Sequence, residues 1–181
     1  MISRRSSLTS IFKGFKDNVG PDTSVIVKLV PIGGFYDWDK NGEESLTAIL
    51  LSCYDTDACT LQGVCKIFCT EQMKDAIETL MDYSRPNKCS MYEVTNEQEA
   101  DIWFDPVSVW EIKIKLNSLY QSSDVAAASK KMGGNSGIGV DSNSRGFQFI
   151  QISESFPEEA LTSDTLMKHF QERQTGGRRR T

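Results

Sequence analysis

Few residues in this chain have the types and spacing of a catalytic or metal centre. Cys65 and Cys69 are separated by three residues, a spacing compatible with zinc, but the only histidine is His169 and no Cys-x-x-Cys pair occurs. The five cysteines fit reduced thiols that pack as small hydrophobic side chains, with a structural zinc as the alternative. We therefore predict no metal site.

Motifs of nucleophilic and nucleotide-dependent enzymes are missing from the sequence. It contains no G-x-S-x-G, P-loop or H-E-x-x-H pattern. Asp101, Asp105 and Glu111 could form an acid/base pair near Trp103 and Trp110, but a turn and a solvent-exposed strand face are the better explanation of these carboxylates. The glycines of 133–139 follow no strong strand and precede no helix, so they do not predict a phosphate-binding loop. We predict no catalytic residue.

Charge is distributed unevenly along the 181 residues, whose net charge is −5. Residues 1–20 carry +3 and residues 165–181 carry +4, which leaves −12 for residues 21–164. Because phosphates are contacted mostly by Lys and Arg, we expect a polyanion to bind the ends rather than a broad central face. No apolar run approaches the roughly 20 residues of a membrane-spanning helix, so no membrane partner is predicted.

Runs of apolar and β-branched residues predict five strands. They cover 24–30, 46–53, 61–68, 110–116 and 147–152. In the fourth, Trp110 and the following even-numbered residues face the core, whereas Glu111, Lys113 and Lys115 face solvent.

Two helices accompany the strands. The first is capped by Thr70 and has apolar residues at helical spacing from Met73 to Met81, and the second is capped by Ser163 and ends near Arg173. This order predicts a mainly β fold: a five-stranded OB-fold barrel with a helix after strand 3 and a short C-terminal helix. Small barrels of other kinds are the alternative.

Composition divides the chain into three parts. We expect a basic N-terminal segment at 1–21, the barrel domain at 22–174 and a flexible basic tail at 175–181. Within the barrel domain, residues 121–146 are rich in Ser, Gly and Ala, which predicts a loop or a disordered insertion.

Five segments, taken in order, resemble a known family, the C-terminal OB-fold domain of eukaryotic-type ATP-dependent DNA ligases of replication and repair. They are VIVKLVPIGGFY (25–36), AILLSCYDTDACTLQGVCKI (48–67), IWFDPVSVWEI (102–112), LNSLY (116–120) and PEEALTSDTLMKHFQERQ (157–174). The resemblance implies a domain that clasps nicked double-stranded DNA during nick sealing, in DNA replication, repair and recombination. It implies a nuclear location, with the mitochondrion as the alternative.

The family's adenylated lysine belongs to a separate nucleotidyltransferase domain, within a Lys-x-Asp-Gly motif that this sequence lacks. The resemblance therefore implies such a domain as a partner, in cis or in trans. It implies ATP and Mg²⁺ for the complete ligase and no cofactor bound by this chain alone. Whether the chain is itself an enzyme stays open, and we expect it to be inactive alone.

The family's last strand, Arg-Phe-Pro-Arg-Phe-x-Arg-x-Arg, resembles residues 145–153 with three arginines missing. Arg145 and Phe149 match, whereas Gln148, Gln151 and Ser153 stand where the family has arginine. Losing three cations removes much of the means of binding a triphosphate. The turn after Gly33-Gly34, basic in the family, is acidic at 37–40.

Phe12-Lys13-Gly14-Phe15-Lys16 resembles the family's Leu-Lys-Leu-Lys motif, with a mitochondrial transit peptide and a plain basic tail as alternatives. The DNA- or phosphate-binding residues that the resemblance implies are Lys13, Lys16, Arg145, Phe147, Gln148, Arg178, Arg179 and Arg180. The rival hypothesis is a degenerate OB module that serves as a protein-interaction or structural subunit.

Overall fold

The computed structural model describes residues 23–178, with side chains up to residue 173. The predicted N-terminal segment 1–21, with Lys13 and Lys16, lies outside the described residues, as do Arg179 and Arg180. Ten strands are present: β1 Ser24–Trp38, β2 Glu44–Asp55, β3 Thr60–Phe68, β4 Ser84–Arg85, β5 Tyr92–Glu93, β6 Ile102–Phe104, β7 Val109–Lys115, β8 Leu119–Ser122, β9 Gly137–Val140 and β10 Gln148–Ser153. The mainly β class is confirmed.

The helices are α1 Lys74–Met81 and α2 Ser163–Arg178. Short 3-10 turns cover Glu71–Met73, Asn96–Gln98, Leu116–Ser118, Lys130–Met132 and Pro157–Glu159. No helix in the described part of the chain is long and apolar enough to cross a membrane.

One large sheet organises the domain, with strand order β10-β7-β1-β2-β3-β5. Its neighbours are antiparallel except for β3 and β5, and β6 adds to β1 and β4. The five predicted strands correspond to β1, β2, β3, β7 and β10, and five shorter strands add to them. The structure thus has more strands than the five that the sequence predicted, because two-residue strands such as β4 and β5 have no periodicity of their own.

The inner face of the curled sheet holds the main core. Trp110 and Phe149 meet there edge to face, with ring centroids 5.0 Å apart. α1 closes this core with Ala76 and Leu80, and Met73 in the preceding 3-10 turn adds to them, as the predicted apolar stripe requires. Other buried members are Val27, Leu29, Ile49, Leu51, Val64, Ile67, Ile112, Ile114, Leu166 and Phe170.

A second core lies on the outer face of β1 and β2. The segment between α1 and β7 covers it with Tyr92 and Trp103, whose rings pack on Val30, Ile32 and Leu50. The Tyr92 hydroxyl donates a hydrogen bond of 2.5 Å to the Phe104 carbonyl oxygen, and burial raises the pKa of Tyr92 well above its usual value. This half of the sheet is therefore buried on both faces.

Residues 121–146 are only in part the loop that their composition predicted. Turns and irregular segments make up most of the range, but it includes the end of β8 and all of β9, which pair with each other, and Ala127 and Ala128 are buried. The Ala127 N–H donates to the Gly63 carbonyl oxygen at 3.0 Å and the Ala128 N–H to Gln62 Oε1 at 2.9 Å. These small residues pack along the edge of β3. The prediction relied on the low hydrophobicity of the segment and therefore missed their burial.

The C-terminal helix differs from the prediction at both ends. The Thr162 hydroxyl accepts the Thr165 N–H at 3.1 Å, so Thr162 takes the capping position expected of Ser163, which is buried. α2 then continues to Arg178, five residues beyond the predicted end and into the segment predicted as a flexible tail.

We expect Phe149→Ala to lower the free energy of unfolding by about 3–5 kcal/mol, because it leaves a cavity beside the buried Trp110 ring. Phe156→Ala is the matched control, since Phe156 is 72% exposed, and should change stability by roughly 0.5 kcal/mol or less. Urea unfolding followed by tryptophan fluorescence measures both. Equal effects of the two substitutions would contradict the assignment of Phe149 to the core.

Candidate nucleic-acid interface

The structure separates the predicted site residues into three groups. Arg145 and Gln148 are exposed, and Gln148 is the first residue of β10. Phe147 is half-buried and packs against the main core, so only part of its ring is accessible to a surface ligand. The backbone of Arg178 ends α2, and its side chain is outside the described part of the structure.

The register of three strands places Gln148 beside lysines that the sequence had not linked to it. Gln148 pairs with Lys113 of β7, which pairs with Ile26 of β1. Directly paired residues point to the same side of a sheet, and Gln148 and Ile26 are exposed. A row of polar and apolar side chains therefore crosses the outer face of the sheet.

The next row along these strands is polar throughout. Gln151 pairs with Glu111, and Glu111 pairs with Lys28. The Gln151 amide donates a hydrogen bond of 2.9 Å to Glu111 Oε2, and Lys28 Nζ donates one of 2.7 Å to the Ser155 hydroxyl. Glu111 is thus held by an amide rather than by a cation.

Gly146 sets the position of the neighbouring Arg145. Its φ is +99°, a value that favours glycine, and an added Cβ would lie 2.8 Å from Cε of Lys115. The Lys115 side chain therefore lies across Gly146, immediately next to Arg145. We call the set Lys28, Lys113, Lys115, Arg145, Gln148 and Gln151 the β7 face.

The electrostatics of the β7 face favour an anionic ligand. It carries four cations, and the carboxylate of Glu111 lies among them. Within residues 23–173, none of the four cations forms an ion pair, unlike Arg85, whose Nε lies 2.6 Å from Asp105 Oδ1. Cations without an ion pair can contact phosphates without first breaking one, although Lys28 would have to exchange its hydrogen bond to the Ser155 hydroxyl.

The acidic turn lies far from this face. Asp37 and Asp39 are at the β1–β2 end of the sheet, and Asp39 Oδ1 accepts the N–H groups of Asn41 and Glu43 at 2.8 Å each. Asp37 is nine residues beyond Lys28 on the same strand, a separation of about 30 Å at 3.3 Å per residue. Its repulsion is therefore screened at the β7 face.

Three lysines of the face escaped the sequence-based prediction of the site. The alternation of apolar and charged residues in β7 predicted that Lys113 and Lys115 face solvent, and this was the signal from which both could have been added to the site. The alternation did not show that β7 lies between β1 and β10. Lys28 of β1 could therefore not be assigned to the same face from the sequence.

The carboxylates considered for acid/base chemistry have structural partners. Asp105 pairs with Arg85, and Asp101 Oδ2 accepts the Tyr36 N–H at 2.9 Å. In the described residues, no three His, Cys, Asp or Glu side chains lie close enough to hold a metal ion. The exposed residues of β10 are Gln148, Gln151 and Ile152, and none of them carries a charge that could neutralise a triphosphate.

Curated proteins similar to this chain cover nearly all of it. DNA ligase 1 of Drosophila melanogaster is 30% identical over 187 residues, covering 96% of this chain and 22% of that ligase. DNA ligase 1 of Arabidopsis thaliana is 28% identical over 172 residues, and the match covers 93% of this chain and 20% of that ligase. The DNA ligase of Saccharolobus shibatae is 30% identical over 152 residues, and the match covers 80% of this chain and 23% of that ligase.

The chain is homologous to one part of the DNA ligases. This confirms the resemblance of the five sequence segments, and the chain spans about a fifth of the length of these ligases. No family model matches the chain. Among solved structures, the ligase domain of LigD from M. tuberculosis is 14% identical, with a TM-score of 0.45, covering 76% of this chain and 37% of that domain.

The cysteines of this ligase homologue should differ sharply in reactivity. Burial raises the pKa of the Cys53 and Cys65 thiols to about 12, whereas Cys59 is exposed. We expect iodoacetamide at pH 8 to modify Cys59 in the folded chain and to reach Cys53 and Cys65 only after unfolding, as mass spectrometry can show.

Because these two thiols titrate near pH 8.5 when unfolded, their contribution to stability is complete below that pH and is lost as the pH rises toward 12. Cys59→Ser is the control, because it should remove the fast modification without changing this pH dependence. Rapid labelling of Cys53 or Cys65 in the folded protein would contradict their burial.

Proposed function

We propose that this chain is a DNA-binding, OB-fold part of an ATP-dependent DNA ligase, and that it clasps nicked duplex DNA through the β7 face. The four unpaired cations on that face carry the proposal. Phosphate contacts by Lys and Arg position a protein on a duplex, and glutamine amides can bond to phosphate, sugar or base edges. Gln148 and Gln151 supply such amides beside the lysines.

The strand order supports the OB-fold. A meander of β1, β2 and β3 is followed by α1 and then by β7 and β10, with β7 returning to pair with β1. This is the sequence of elements in a five-stranded Greek-key barrel. The shorter strands are additions between its third and fifth members. Because fold alone does not fix function, the proposal depends on the cationic face and on the ligase homology.

Adenylation belongs to a nucleotidyltransferase domain, supplied in cis or in trans, and this chain alone is not competent for it. The sequence contains no Lys-x-Asp-Gly motif, and β10 has no arginine with which to orient a triphosphate. ATP and Mg²⁺ would serve the complete ligase. The complete ligase would act in DNA replication, repair and recombination in the nucleus, with the mitochondrion as the alternative location.

A second function, a protein-interaction or structural module, is favoured by the acidic remainder of the domain. Residues 21–164 carry −12 in total although the β7 face lies within them, so most of the surface repels DNA. The lysine substitutions described next separate the two functions, because a structural module needs none of the face lysines for binding.

The double variant Lys113→Gln and Lys115→Gln should weaken binding to a nicked duplex by roughly 10- to 100-fold at 0.1 M salt. Removing two phosphate contacts should also reduce the slope of log K against log salt by about 2. Fluorescence anisotropy with a labelled nicked duplex measures both. Lys40→Gln, which removes an exposed cation of the acidic turn, is the matched control and should have little effect. An equal loss of DNA affinity in the Lys113/Lys115 double variant and in Lys40→Gln would refute an interface localised to the β7 face.

Restoring arginine on β10 should have the opposite effect. Gln148→Arg adds a cation beside Lys113, and we expect tighter duplex binding and a salt slope larger by about 1. Gln121→Arg is the control, because Gln121 is an exposed residue of β8. Gln98 would not serve, because it is buried. Unchanged binding by Gln148→Arg would place the DNA elsewhere.

A further inference from the structure

β10 is the terminal strand of the large sheet, and only one of its edges is paired. It bonds to β7 through five residue pairs, from Gln148 opposite Lys113 to Ser153 opposite Val109. No other strand in the described residues pairs with it. At its other edge, the Gln72 side-chain amide donates a hydrogen bond of 3.0 Å to the Phe149 carbonyl oxygen. Backbone groups beyond Phe149 therefore face outward without a strand partner.

This edge lacks the features with which proteins usually prevent strand pairing. Edge strands are commonly protected by charged side chains, by proline, by bulges or by being very short. β10 has six residues, none of them charged and none proline. It keeps one bulge, between Phe149 and Gln151. The opposite end of the sheet is protected, because β5 has only two residues and one of them is Glu93.

Apolar side chains border the open edge. Ile152 is 43% exposed within the strand, and Phe156 is 72% exposed three residues after it ends. A strand added at this edge would remove apolar surface from water as well as satisfy the backbone groups.

The charges around β10 suit a second copy of the same chain. In a two-fold antiparallel pairing, a charged strand would face its own charges, and an uncharged one avoids that repulsion. Arg145 precedes β10 and Glu154 follows it, and both are exposed. Antiparallel pairing brings the end of one strand beside the start of the other, so opposite charges approach each other at both ends.

We propose that two copies of this chain associate through antiparallel pairing of their β10 edges to form one continuous sheet. The β7 faces of the two copies then lie on the same side, and their Lys113 residues are separated by three strand spacings, about 14 Å across the sheet, and by a further offset along the strands. This exceeds the Debye length of about 8 Å at 0.15 M salt, so the repulsion is weak and is screened further by added salt. The association does not depend on DNA binding.

Sedimentation equilibrium of the full chain without DNA tests this pairing. We expect the weight-average mass to rise toward two copies between about 10 μM and 1 mM, as for a small interface. Ile152→Lys should abolish the rise: with Arg145 opposite Glu154, residue 152 lies opposite Phe147 of the second copy, so the substitution places a lysine near that copy's Arg145 and removes apolar surface from the interface. Ile26→Lys is the matched control: Ile26 is 61% exposed but lies on an internal strand, so dimerisation should persist.

Two further measurements keep the test decisive if Ile152→Lys fails to fold. Hydrogen exchange of the unsubstituted chain should show slower exchange at 150–153 at high concentration, with no change in β7. Glu154→Arg should weaken the dimer, and adding Arg145→Glu to it should restore the dimer, because the two opposite charges are then exchanged between the same positions. A single-chain mass at 1 mM, protection confined to another surface, or equal loss of dimer in Ile26→Lys would overturn the proposal.

Discussion

The antiparallel register of β7 between β1 and β10 is the constraint on which the rest of this structure depends. On the inner side it brings Trp110 against Phe149 at the centre of the main core. On the outer side, the same register aligns Lys113 with Gln148 and Glu111 with Gln151. A shift of one residue would bury the lysines and expose the core, so packing and surface chemistry are set together.

Burial on the two halves of the sheet explains where a ligand can bind. β2 and the second half of β1 are covered on both faces, by the main core and by the segment carrying Tyr92 and Trp103. β10, β7 and the start of β1, by contrast, expose their outer face, and the cations without ion pairs lie there. The proposed DNA-binding face is therefore the part of the sheet that the second core leaves uncovered.

The replaced arginines have two consequences on one strand. On the face of β10, glutamines keep hydrogen-bonding capacity but lose the charge required to hold a triphosphate. At its edge, the absence of charge removes a common barrier to strand pairing. β10 is therefore an uncharged strand that pairs with a lysine-bearing strand, β7.

The sequence by itself determined the five principal strands, the apolar face of α1 and the exposure of Lys113 and Lys115, because these follow from local periodicity. Homology to DNA ligases was also readable from ordered segments. Only the tertiary structure decided that Ala127 and Ala128 are buried beside β3, that Lys28 joins Lys113, and that β10 has an open edge. These depend on contacts between residues far apart in the chain, which composition and periodicity do not encode.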